Sequence, residues 1–147
     1  MLTSNDLDWI PEGGYDDPLD ARYAGMAYAK ELSRSVELGG GVVNIGGGYY
    51  FTEPVGENLC CHFAANIQIP AGGSLDSLYH SHTNQGSSSI YFSPEDVNVA
   101  ERVGVPSAVG NFYDHNIRVY NPATMSPDAF GRFPGGSRGT VICTRCF

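Results

Sequence analysis

Glycine and proline interrupt this chain so often that it is confined to short elements and many turns. They number 19 and 9 among 147 residues. The first stretch with room for a longer element runs from Leu19 to Ser35, broken only by Gly25. Apolar side chains there (Leu19, Tyr23, Met26, Ala27, Tyr28, Leu32) recur mostly at helical spacing, and Asp16-Asp17-Pro18 supplies a cap with proline at the first turn. That pattern predicts one amphipathic helix. A second start is written in Ser93-Pro94-Glu95-Asp96: a serine cap, proline at the first position and an acid three residues after the cap. The helix it opens continues through Val97, Val99, Ala100 and Val103 and stops at Gly104.

Between and after the helices the pattern is that of strands. Glu37 to Ile45 and Tyr49 to Thr52 flank Gly46-Gly47-Gly48 and read as a β-hairpin. Further strands are expected over Cys61–Ile69, Ser74–His82, Val105–Phe112, Ile117–Tyr120 and Thr140–Cys143. The order predicts an α/β (α+β) domain with a mainly antiparallel sheet flanked by helices. Residues 1–18 read as an irregular lead-in and 19–147 as a single domain. No internal repeat is present.

A net charge of -8 argues against a nucleic-acid partner, because phosphate backbones repel it. No apolar run approaches the ~20 residues that span a bilayer. Met1–Asp8 lacks the basic and apolar regions of a signal peptide. The expectation is a cytoplasmic protein, or one delivered into a target cell by a specialised secretion system. Cys143 and Cys146 have C-x-x-C spacing, half of many zinc sites, but the adjacent Cys60 and Cys61 would face opposite ways on a strand. Buried thiols or one disulfide suit the four cysteines better. A phosphate-loop reading of the glycine segments fails because no Lys-Ser/Thr follows them.

The chemistry gathers at His80-Ser81-His82, then ten residues, then Ser93-x-x-Asp96. Histidines two apart on a strand share a face, so both imidazoles can reach one ion. Asp96, in the first turn of the following helix, can swing back to complete three protein ligands, which leaves a fourth position open for water. This predicts a zinc site of the catalytic type. A general base cannot itself be a ligand, and Glu37, entering the glycine-rich strand, is the candidate; Glu53 and Glu57 also lie upstream of the histidines. Ser93 can cap its helix or donate to a developing oxyanion. His62 and His115 have no matching partners and read as structural or surface residues.

The set Glu37…His80-Ser81-His82…Ser93-x-x-Asp96 resembles the JAMM motif of the JAB/MPN metallopeptidases, over roughly residues 19–122. Glu37-Leu38-Gly39-Gly40 and Phe92-Ser93-Pro94-Glu95-Asp96 are closer still to a bacterial JAB-like domain found at the C-terminal ends of Rhs-type and other polymorphic toxins. The resemblance implies a cytidine-deaminase-like arrangement of sheet and helices. It also implies zinc on His80, His82 and Asp96, Glu37 as base, Ser93 stabilising the tetrahedral intermediate, and hydrolysis of peptide or isopeptide bonds. A toxin context would further imply a protein or peptide substrate and a cognate immunity protein. Two departures stand out: the spacer Thr83–Phe92 is three residues longer than the usual seven, and Thr83 replaces the common proline. The longer spacer is expected to form a lip over the site. Rival readings are an inactive metal-binding interaction domain and a zinc amidase acting on a non-protein substrate.

Overall fold

The computed structural model describes residues 1–56, 67–84, 86–125 and 137–147. Among them two helices and seven strands form one mixed, mostly antiparallel open sheet with a helix on each face. Helix α1 spans Pro18–Leu32 and is capped by the Asp17 side chain, which accepts from the Leu19 amide at 2.8 Å. Strands β1 (Leu38–Ile45) and β2 (Gly48–Phe51) form the expected hairpin. Its two-residue loop needs positive φ at both positions, and Gly46 and Gly47 supply +59° and +89°.

A two-residue strand β3 (Val55–Gly56), not foreseen from the sequence, pairs with the start of β1. Strand β4 (Ser74–His82) lies antiparallel to β1 and parallel to β5 (Ser107–Asn111). Helix α2 (Pro94–Val103) makes the crossover between β4 and β5, and Gly104 in the left-handed region (φ +76°) ends it. Strands β6 (Ile117–Tyr120) and β7 (Thr140–Cys143) continue the sheet antiparallel, giving the order β2-β1-β4-β5-β6-β7 with β3 beside β1. The strand expected over Cys61–Ile69 lies mostly outside the described residues, and Ile67–Ile69 carry no strand.

Side-chain alternation along β5 separates the two packing layers. Ala108 and Phe112 join Met26, Ala29, Phe51 and Tyr79 under α1. Val109 instead joins Phe92, Val97, Ala100 and Tyr120 under α2. The segment before α1 is irregular yet integral: Ile10 is buried, Leu2 donates its amide to the Phe51 carbonyl at 3.0 Å, and Tyr15 bridges Tyr49.

Cys143 and Cys146 are joined in a disulfide, so in this form neither offers a thiolate to a metal; Cys60 and Cys61 lie outside the described residues. No helix among the described residues is long and apolar enough to cross a membrane.

Phe147 completes the α1 layer. Its amide donates to the His115 carbonyl at 2.9 Å, its carbonyl accepts from His115 Nδ1 at 3.0 Å, and its ring packs on Phe112 where Gly110 has no side chain. His115 thus has the structural part expected of it. Replacing Phe147 by Ala should lower unfolding stability by roughly 3–5 kcal/mol, the usual loss for a buried aromatic. Urea unfolding of the two proteins, followed by circular dichroism, measures this; unchanged midpoints would show that the ring contributes nothing to the core.

Candidate metal centre

Three side chains from two elements converge at the end of β4. His80 and His82 project from the α2 face of the sheet, as alternation requires, and Asp96 comes down from the first turn of α2. The cap fixes that carboxylate. Ser93 Oγ accepts from the Asp96 amide at 3.1 Å, and Asp96 Oδ2 accepts from the Ser93 amide at 2.9 Å, closing a capping box. The same carboxylate faces the histidines: Oδ1 lies 3.5 Å from His80 Nε2 and Oδ2 lies 3.3 Å from His82 Nε2. The two Nε2 atoms are 3.0 Å apart.

These separations can be compared with what an ion demands. Zinc–nitrogen bonds of about 2.0–2.1 Å in tetrahedral array put neighbouring donors about 3.3–3.4 Å apart. The two Nε2 atoms are somewhat closer than that, and the carboxylate reaches the two imidazoles through different oxygens at 3.5 and 3.3 Å, so the three side chains stand near the spacing an ion requires. The donor set of two imidazoles and one carboxylate suits zinc, and the three residues could hold a metal ion.

The electrostatics agree with a site made for a cation. Burial disfavours charge on Asp96, but the charges and hydrogen bonds of His80 and His82 outweigh it and hold the carboxyl well below its ordinary range. Burial likewise disfavours the His82 cation, yet Asp96, the charge of Glu37 and the Ser89 carbonyl together raise its pKa above the ordinary value.

A second layer of contacts holds His82. Its Nδ1–H donates to the Ser89 carbonyl at 2.7 Å, leaving the Nε2 lone pair for the centre. That carbonyl also accepts from Nδ2 of the fully buried Asn111, whose Oδ1 takes the Tyr113 amide at 2.7 Å. Ser89 belongs to a 3-10 turn, Ser87–Ile90, inside the long spacer. The part of the spacer around Ser89 therefore serves as a bracket for His82. Ser81, buried between the histidines and facing away from them, accepts from the Leu38 amide at 3.1 Å and donates to the Leu38 carbonyl at 3.4 Å. This ties the residue after Glu37 to the histidine strand just beyond the last ladder pair, Gly39 opposite His80.

Glu37 lines the same cavity as His80 and Asp96. Glu53 lies on a different depression, with Met1 and Gln68, and Glu57 and His62 fall outside the described residues. Ser93 has its oxygen engaged in the cap and keeps its own proton as a donor, so capping and donation are compatible. Sequence reasoning missed Ser81, Ser89 and Asn111. A serine between two ligand histidines was visible, but a backbone carbonyl and a buried amide one strand away carry no local signal.

Two outcomes follow for this centre. Asn111→Ala should weaken divalent-metal affinity by about 10–100-fold, the range for lost support of a ligating imidazole, as read by competition with a chromogenic chelator. In the chelator-stripped chain, the raised pKa of His82 gives stability that is complete below about pH 6.5 and lost as pH rises through the raised value. The lowered pKa of Asp96 gives stability present above about pH 3.8 and lost as pH falls through the lowered value. Thermal melts should therefore show the stripped chain more stable at pH 6 than at pH 8, with the difference reduced in Asp96→Asn.

No protein-family model matches this chain, and neither the curated proteins nor the solved structures gave a match, so the centre is interpreted from its own residues.

Proposed function

We propose that the chain is a zinc-dependent hydrolase of the JAMM type that cuts amide bonds in a peptide or isopeptide substrate. One observation carries this reading: His80, His82 and Asp96 are grouped closely enough to hold one metal ion, and two of them, His80 and Asp96, share a cavity with a carboxylate, Glu37, that is not in the group. A closed structural zinc site has four protein ligands and has no use for a nearby acid of this kind.

Zinc held by His80, His82 and Asp96 would lower the pKa of water from ~15.7 to ~7 and polarise a carbonyl. The chain's own residues supply the rest. Glu37 accepts a proton from the attacking water as the new carbon–oxygen bond forms, then delivers it to the nitrogen as the carbon–nitrogen bond breaks. The Ser93 hydroxyl, steadied by the Asp96 amide, donates to the oxygen on which negative charge develops. The Ser89 carbonyl keeps His82 in the tautomer that presents Nε2, and the Ser81 hydroxyl keeps β1 in register so that Glu37 faces the cavity. An inactive interaction domain would not require Glu37, and its presence on the cavity favours the enzyme reading.

Metal analysis by mass spectrometry tests the first half: about one zinc per chain in the wild type, lost in His80→Ala and in Asp96→Ala. Glu37→Gln tests the second half. It should keep its zinc and lose roughly 10²–10⁴-fold in peptide or isopeptide hydrolysis, the span of general acid–base catalysis. Zinc retained in both ligand variants would overturn the assignment of the centre. Full activity in Glu37→Gln would overturn the mechanism.

A further inference from the structure

The C-x-x-C pair closes a short link between β7 and a core side chain. Cys143 ends β7, paired with Ile117, and Phe147 sits in the α1 layer with 5% of its surface exposed. Thr144, Arg145 and Cys146 between them are exposed and belong to no helix or strand. Arg145 stands in the left-handed region (φ +56°), which a residue with a Cβ rarely adopts. Among the described residues, one hydrogen bond ties the backbone of this link to the rest of the chain, from the Arg145 amide to Asn116 Oδ1 at 2.9 Å. The disulfide supplies the remaining constraint, with its Cα atoms 5.7 Å apart.

The side chain at the far end of the link is a plug. The Phe147 ring lies 4.7 Å from that of Phe112, fills the space over Gly110 and has Lys30 Nζ 5.3 Å from its centre. Phe147 and both bridged cysteines border a depression of about 840 Å³ beside α1, together with Tyr23, Met26 and Ile117. The ring therefore has open space next to its seat. Cys146 is exposed and Cys143 half-buried, so a reductant can reach the bridge in the folded chain.

We propose that the Cys143–Cys146 disulfide is a redox latch on the Phe147 seat, opened by a dithiol reductant while the rest of the fold stays in place. One thiolate of the reductant attacks Cys146 Sγ, forming a mixed disulfide and breaking the bond to Cys143, which leaves as a thiolate and takes a proton. The second thiolate of the reductant then attacks the reductant's own sulfur in the mixed disulfide. That step closes the oxidised reductant and releases Cys146, which is protonated in turn, so two electrons and two protons pass to the protein. Without the bridge, Arg145 is free to leave the left-handed region, and Phe147 is held by His115 and its ring contacts alone. Oxidising compartments keep such a bridge closed and reducing ones open it, so the latch responds to the compartment the chain enters. The histidines and α2 lie on the other face of the sheet, which makes the change local. The proposal stands apart from the hydrolase reading.

The test uses the full chain stripped of metal by a chelator, because dithiols bind zinc. Iodoacetamide without denaturant, followed by peptide mass mapping, should label Cys143 and Cys146 only after dithiothreitol treatment. Hydrogen exchange read by mass spectrometry should then be about tenfold or more faster at the Phe147 and His115 amides, the order expected when a short closed loop is released. Exchange in α2 should not change. A chain carrying both Cys143→Ser and Cys146→Ser should show the fast exchange with or without dithiothreitol; if it fails to fold, the reduced and alkylated wild type takes its place. Free thiols at 143 and 146 in the air-oxidised protein, or a bridge that yields only in urea, overturn the latch. So does exchange at Phe147 that is equal before and after reduction, or protection lost from α2 as well.

Discussion

Asp96 answers two demands with one carboxylate. It closes the capping box that starts α2, and it faces both histidines at the end of β4. A helix start has orphan amides that call for an acceptor, and two imidazoles held face to face with little water call for a negative partner or a cation. Because the Ser93 amide holds Oδ2 at 2.9 Å, the carboxylate cannot rotate away from the histidines without opening the helix. The position of α2, the packing of Phe92 and Val97 beneath it, and the shape of the centre are therefore one problem with one solution.

The rest of the molecule keeps the two halves of the site at fixed distance. Glu37 sits just before β1 and the histidines lie on β4, and their relation depends on the Gly39–His80 pairing and on the Ser81 hydroxyl. Small residues permit this. Gly40 has no Cβ where Tyr79 and Thr52 crowd the strand from the α1 side, and Gly25 lets α1 approach the Tyr79 ring. The glycines that make the chain look loosely specified are thus places where two surfaces come close.

Much of this was legible in the sequence, for identifiable reasons. Both helix starts carry their own caps, the Gly46-Gly47 turn declares its hairpin, and His80, His82 and Asp96 sit at spacings that put ligands on one face. What was illegible depends on contacts between segments far apart in sequence. Strand β3 is two residues long and exists because Leu38 and Gly39 offer it a partner. The parallel pairing of β4 with β5 follows from the α2 crossover, and residue pattern alone did not show it. Asn111 reads as an ordinary polar residue at a strand end until the Ser89 carbonyl is placed beside it.

The long spacer has a consequence for how such a chain can diverge. Each end is tied by its own contacts, and the Ser89 carbonyl ties the middle to His82. The His82 carbonyl accepts from the Phe112 amide at 3.1 Å at one end, and the capping box fixes the other. Between these anchors the Ser87–Ile90 turn must keep its place, because its Ser89 carbonyl holds His82, so changes of length are best absorbed outside that turn. The rest of the connection can thus drift in length and composition at little cost to the arrangement of His80, His82 and Asp96. A cluster built this way can keep its three side chains in place while much of the connection between them is rewritten.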